Sequence, residues 1–288
     1  MKRLFNPKPE FCFRGFLLFL FAVGLLALVS HAGDREASAF WIPEEGHHFS
    51  FPADHGSHPD FKIEWWYLTG HLFAGEEKER FGFQATFFRL GQKPVDVASG
   101  EKFGESQIYM AHMALTDVEG KRFLHEERFN RGGWDAFSTV GKLGLQNGNW
   151  SLSGPTSQMK LEGSVRSDAK FSLLLEPAKP LVVFGENGVS RKGAEESAAS
   201  YYLTFPRLRA NGKLHYGERE LAVSGEVWMD HEISSSQLDR NQIGWDWVSI
   251  QLFDGREVMA YILRNEDGSI SPFSKLVWIA ADGKLTHQ

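Results

Sequence analysis

With 288 residues, 42% of them hydrophobic and 24% charged, the chain has the composition of a globular protein of one or two domains with material for a full core. The formal charge is −6 and no basic stripe appears, which speaks against nucleic acid as a partner. The 24 Phe and 9 Trp are many for this length and indicate large apolar packing surfaces or pockets.

Residues 1–32 are a different kind of sequence. Lys2, Arg3, Lys8 and Arg14 stand against a single acid, Glu10, and precede an apolar run over 16–29. Ser30-His31-Ala32 supplies small residues for a cleavage site, the pattern of a signal peptide. The expectation is an exported protein, periplasmic or secreted, with a retained N-terminal anchor as the alternative. Cleavage takes the formal charge from −6 to −9, which favours solubility. It also removes Cys12, the only cysteine, so the mature chain has no disulfide and no thiolate metal ligand and must rely on its core.

Residues 33–50 are mixed and polar and read as a flexible leader. The densest stretch follows: 51–72, FPADHGSHPDFKIEWWYLTGHL, holds three His, three acids and a Trp-Trp-Tyr run. Its Gly and Pro punctuate a loop, and 61–73 then reads as a strand. Alternation puts Ile63, Trp65, Tyr67, Thr69 and His71 on one face and Trp66, Leu68 and Leu72 on the other. Both faces are largely apolar, as in a barrel wall covered from outside.

A second strand is predicted over 80–90, a third over 107–116 and a fourth over 122–129, the last two joined by a turn at Gly120. Short strands follow near 142–146, 150–153, 159–166 and 170–176, then a long polar loop over 185–198. Strands resume at 201–205, 214–218 and 220–228. No long helical period stands out, and turn signals at this spacing indicate an all-β barrel or sandwich. A weak repeat runs through the chain: Trp65-x-Tyr67-x5-Phe73-x-Gly75 recurs as Trp245-x-Trp247-x5-Phe253-x-Gly255. It suggests a second barrel beginning near 233, of which only the opening strands are present.

Several groups could carry chemistry. Asp54, His55 and His58, with Glu64 on the strand, are suitable zinc ligands, but their spacing matches no known framework, and a hydrogen-bonded loop capping a barrel end explains them as well. No metal or cofactor is assigned. His112 on an apolar strand is either a satisfied core residue or a ligand contact. In Trp228-Met229-Asp230-His231-Glu232, a His between two acids has its imidazolium favoured, though extended geometry would turn both acids away from it. Tyr261 offers a second polar group. Trp65, Tyr67, Trp245 and Trp247 either line a ligand cavity or belong to the core. No G-x-S-x-G elbow and no phosphate-binding glycine loop is present.

The motifs EWWY-x-TG and WMDHE, with YMAHMALTD between them and GWDWVSIQLFDGREVMAYILR after, resemble the AttH/carotenoid 1,2-hydratase-like family of the calycin superfamily over about 51–284. The resemblance implies tandem lipocalin-like antiparallel β-barrels, the first over 51–232 and the second, incomplete, over 233–288. It also implies a barrel-closing Trp paired with a basic residue, for which Trp65 is the candidate. His231 and Tyr261 fall where the hydratases carry a His and a Tyr as acid/base groups. Ile233 and Leu263 stand where those enzymes carry a Trp and an Asp, which removes the carboxylic acid expected to protonate an alkene. The leading expectation is therefore an exported protein that binds a hydrophobic small molecule or lipid, with an ABC-type export system as a partner. A hydratase or lyase and a secreted hydrolase are the alternatives.

Overall fold

The computed structural model describes residues 40–75, 79–92 and 107–287. The expected signal peptide, 1–32, and residues 33–39 of the expected leader lie outside them. Among the described residues the structure is built almost entirely of strands, and no helix is long and apolar enough to cross a membrane.

Four long strands open the chain: β1 (Ile63–Ala74), β2 (Glu79–Gly91), β3 (Gln107–Asp117) and β4 (Arg122–Arg131). Five shorter ones follow: β5 (Ala136–Ser138), β6 (Gly144–Asn147), β7 (Trp150–Ser153), β8 (Met159–Val165) and β9 (Ala169–Pro177). Two small strands, β10 (Val182–Phe184) and β11 (Ser190–Arg191), precede the longest pair, β12 (Ala199–Tyr216) and β13 (Arg219–Ser236). They form one antiparallel sheet in the order β4-β3-β2-β1-β13-β12-β9-β8-β7-β6-β5, with β10 and β11 added to β12.

The ends of this sheet curl toward each other into a nearly closed barrel. Side chains stitch the seam. Asn130 Nδ2 donates to Asn147 Oδ1 at 2.6 Å, Tyr109 and Ser138 bond through their hydroxyls at 3.3 Å, and the Arg128 guanidinium lies 3.8 Å over the Trp150 ring. The interior is filled. Trp66, Leu68 and Leu72 of β1, Phe81, Phe83, Ala85 and Phe87 of β2, and Val227 and Met229 of β13 belong to one buried cluster with residues of β3, β6–β9 and β12. The two-residue period of these strands puts every apolar residue of that phase inside.

β12 and β13 differ from expectation. Each runs unbroken for 18 residues, where 201–205, 214–218 and 220–228 were expected as separate pieces. Pro206 reads as a strand breaker, but it falls in the irregularity between Phe205 and Leu208, where the ladder shifts register and no amide is demanded of it. The turn between the two strands is made at Gly217, whose φ of +58° suits a residue without Cβ.

A second sheet, in the order β14-β15-β16-β17, comprises β14 (Gln242–Gln251), β15 (Glu257–Asn265), β16 (Lys275–Ile279) and β17 (Leu285–His287). β13 thus extends past 232, to Ser236, before this sheet begins. Met259, Tyr261, Leu263, Val277 and Ile279 pack on Val182, Phe184, Tyr202 and Trp228, so the sheet rests on the outside of the barrel over β10, β12 and β13. Two cations fasten it. Lys179 Nζ donates to Glu257 Oε2 (2.5 Å) and to the carbonyls of Gly255 and Ala280, and Arg207 reaches Glu257 Oε1 (2.9 Å) and the Leu252 carbonyl.

Candidate functional site

The loop before β1 closes one end of the barrel, and the segment from Phe40 to Ser50, expected to be flexible, is laid down with it. Trp41 N donates to the Asp60 carbonyl, Glu44 N to the Tyr201 hydroxyl, and His47 stacks on Tyr201 at 4.6 Å. Phe49 joins Phe61, Val189, Ala199, Tyr201 and Ile233 in a small apolar cluster there. Aromatic anchors, spaced every few residues, hold a segment whose polar composition alone suggested mobility.

Under this cap lies a buried polar network centred on Glu64. Its Oε1 accepts from His58 Nδ1 and His231 Nε2, each at 2.8 Å. Its Oε2 accepts from Arg89 Nε, Ser57 Oγ and the His58 backbone N–H, at 3.0–3.1 Å. Arg89 also donates to Gln107 Oε1 and to the carbonyls of His58 and Phe61. His58 Nε2 faces Asp54 Oδ1 at 3.1 Å, so this ring lies between two carboxylates. A fully buried carboxylate is tolerable because so many donors satisfy it. Desolvation alone would raise the Glu64 pKa, but the hydrogen bonds from His231 and His58 and the charge of Arg89 hold it well below the usual carboxylate range. Burial likewise opposes charging His58, yet Glu64 and Asp54 raise its pKa above the ordinary value.

His231 behaves otherwise. It stacks on Trp66 (4.5 Å, 17°) inside the barrel, and burial lowers its pKa despite the bond to Glu64. The expectation of a favoured imidazolium between Asp230 and Glu232 is therefore corrected: on an extended strand both acids point outward, away from the ring. His55 is corrected as well. It takes no part in the Glu64 network; its ring packs on Phe51 (4.5 Å) and Phe205 (5.7 Å), and burial, then the neighbouring His231, lowers its pKa to about 4. The Trp inside the barrel end, beside the Glu64–Arg89 pair, is Trp66 and not Trp65. Trp65 is one position out of phase and lies on the outer wall against Phe88 (6.3 Å).

The outward face of β13 builds a second buried polar group, under the second sheet. Asp230 accepts from Tyr202 Oη (2.9 Å), Thr204 Oγ1 (2.7 Å) and Trp228 Nε1 (2.7 Å), and Trp247 Nε1 donates on to Tyr202 Oη (3.1 Å). Burial pushes the Asp230 pKa up to about 7 against these bonds. Lys192 pairs with Glu232 (3.3 Å) and lies over the rings of Tyr202 and Tyr261, at 4.7 and 4.0 Å. Tyr261 bonds to Ser190 Oγ at 3.3 Å. His231 and Tyr261 thus stand on opposite sides of β13, and the structure does not bring them together as a catalytic pair.

Beside this group a cleft of about 380 Å³ opens between the outer wall of β1–β3 and strand β14. Tyr67, Phe123, Trp228 and Trp247 give it aromatic walls, and Thr69, Gln84, Ser249 and Gln251 give it polar points. Gly82 leaves its floor open, since a Cβ there would meet only Thr116, at 3.6 Å. Of the five residues expected to contact a ligand, Tyr67 and Trp247 line the cleft. Trp65, His112 and Trp245 do not; His112 is buried against Phe88 at 5.4 Å on the outer wall, and Trp245 is packed into the interface between the sheets. Burial raises the Tyr67 pKa to about 12, so its phenol stays protonated at neutral pH. Neither motif nor spacing marks Lys192, Lys179 or Glu257 in the sequence. Arg89 carries a readable signal, since it is a charge that directly continues the apolar inward phase of Phe81, Phe83, Ala85 and Phe87.

A match to the AttH-like family spans residues 42–288. The chain belongs to the AttH-like family. The crystal structure of an AttH from Nitrosomonas europaea is similar over 86% of this chain and 74% of that one, at 33% identity and a TM-score of 0.76. Kievitone hydratase from Nectria haematococca shares the fold at 12% identity and a TM-score of 0.59, covering 87% of this chain and 69% of that one. No match is found among curated proteins. The AttH-like assignment agrees with the lipocalin-like barrel and the motifs that build its capped end.

Proposed function

We propose that this chain binds a hydrophobic small molecule or lipid, isoprenoid-like in shape, in the cleft between the barrel wall and β14. One contrast carries the reading. The barrel interior, where a lipocalin-like fold would hold its ligand, is filled by side chains, and a void beside Trp66, Phe87 and Leu145 measures only about 10 Å³. The cleft outside is about 380 Å³, large enough for a small ligand, and pairs aromatic walls with a few polar groups, the usual make-up of such sites. The charged-then-apolar sequence of 1–32 supports export as part of this reading. An export-system partner rests on the family resemblance.

A second reading, a hydro-lyase, is favoured by the fold shared with kievitone hydratase. In this chain the acid/base pair expected from sequence is split across β13, so the reaction would need other groups, of which the Tyr67 phenol reaches the cleft. The test is native mass spectrometry with lipid extraction on protein isolated from its own envelope. A retained isoprenoid or acyl lipid supports binding. Incubating that molecule with the protein in ¹⁸O-water separates the readings, since gain of one whole labelled water in a single uncleaved product marks a hydro-lyase. Protein that carries no lipid and takes none up overturns both.

A further inference from the structure

The capped end of the barrel holds a donor set that the cleft does not use. His58 comes from the loop before β1, Glu64 from β1 and His231 from β13, and one ligand atom of each lies within 4.8 Å of the others. Both imidazoles aim at a single oxygen, Glu64 Oε1, from His58 Nδ1 and His231 Nε2 at 2.8 Å. The other oxygen, Oε2, is already taken by Arg89, Ser57 and the His58 backbone N–H. Glu64 therefore has one oxygen to offer, in the direction shared by the two rings.

His58 is also oriented from behind. Its Nε2–H points at Asp54 Oδ1 (3.1 Å), which fixes the tautomer that leaves a lone pair on Nδ1 when that nitrogen gives up its proton. A carboxylate on the far nitrogen of an imidazole is how metal-ligating histidines are commonly oriented. We propose that His58 Nδ1, Glu64 Oε1 and His231 Nε2 hold a divalent transition-metal ion of the zinc class at this end of the barrel, with Asp54 as the positioning residue for His58. Two imidazoles and one carboxylate suit Zn²⁺ or Co²⁺ and leave a fourth position for water or an anion. They suit Mg²⁺ or Ca²⁺ poorly, since those ions take mostly oxygen. Glu64 and His231 are buried, whereas the His58 side chain keeps 19% of its surface and Asp54 16%, so an ion enters from the side of the loop. The Arg89 guanidinium works against a second cation. Asp54 and Glu64 together offset it, and an anion in the fourth position would complete the charge balance. This site is separate from the cleft and does not depend on what the cleft binds.

The test uses the full chain, stripped with chelator, desalted, and titrated with Co²⁺ and then Zn²⁺. The expected result is one retained equivalent of metal by elemental analysis and a Co²⁺ visible spectrum of low coordination number. Zn²⁺ should shift the ring ¹⁵N signals of two histidines in the wild-type protein, a readout that needs no variant. His58→Ala should weaken binding at least a hundredfold and Asp54→Asn about tenfold. A control variant, His47→Ala with His48→Ala, should bind as wild type does. Failure of the wild-type chain to retain Co²⁺ or Zn²⁺ overturns the site, as does binding lost with the His47-His48 pair but kept in His58→Ala.

Discussion

Tyr67 meets Trp247 edge to face, with ring centroids 5.3 Å apart and planes at 75°. These two residues occupy the same place in the internal repeat, on the first strand of the barrel sheet and the first strand of the second sheet. Each strand ends in a hairpin whose glycine needs a positive φ, +67° at Gly75 and +85° at Gly255. The two copies of the motif thus face each other, and their contact forms one corner of the cleft.

The proposed ligand site can be blocked without touching either ring. A Cβ on Gly82 would meet Thr116 Cβ at 3.6 Å, an ordinary contact, so a side chain there grows into the cleft and not into the backbone. Gly82→Leu is expected to lower ligand loading at least tenfold while changing stability by less than about 1 kcal/mol. Loading is read by extraction and mass spectrometry, and stability by urea denaturation. A variant that stays folded and carries as much ligand as wild type would place the ligand elsewhere.

The second sheet is fastened through one acid. Glu257 is fully buried and binds Lys179 through one oxygen and Arg207 through the other. Glu257→Ala leaves Lys179 at the interface without a carboxylate and Arg207 with Glu226 alone, and should cost about 3–5 kcal/mol. Amide exchange should quicken in β14–β16 first and leave β1–β3 protected. A loss under about 1 kcal/mol would mean that the apolar contacts of Met259, Tyr261 and Val277 hold the sheet unaided.

The barrel strands were legible because one face of each is apolar at a strict period of two, as in Phe81-x-Phe83-x-Ala85-x-Phe87. Alternation alone also turns Asp230 and Glu232 away from His231. The pairing of His231 with Glu64 was not legible, because 167 residues separate them and only the register of β13 on β1 joins them. Trp65 and Trp66 were equally suited to close the barrel by composition. Phase against the core decides between them, and the phase is set by Leu68 and Leu72. The anchoring of 40–50 was hidden in isolated aromatics, Trp41 and Phe49, whose partners lie far along the chain.

Glu64 and Arg89 should be strongly coupled. Glu64→Gln removes the charge that balances Arg89 and His58, and Arg89→Met leaves Glu64 with one charged donor fewer. Each single change is expected to cost about 3–5 kcal/mol, and the double variant less than the sum, by about 1–3 kcal/mol. Urea denaturation of the four proteins in a double-mutant cycle gives the number. Strict additivity would show that the pair contributes shape alone.

His55 sets an acid limb on stability. Its pKa falls to about 4 in the folded protein from 6.5, mainly through burial against Phe51 and Phe205. Between these values the unfolded chain binds a proton that the folded chain refuses, so the His55 contribution to stability drops as pH falls from about 6.5 to about 4 and is level on either side of that window. One such group gives a slope of at most about 1.4 kcal/mol per pH unit. His55→Phe keeps a ring between the same two neighbours and removes the proton site. Its stability should fall less than that of wild type between pH 7 and pH 4.5, with both proteins followed by urea denaturation at several pH values. Parallel curves would mean that the His55 ring is protonated as readily in the folded chain as in the unfolded one, and that the cap over the barrel end admits water to it.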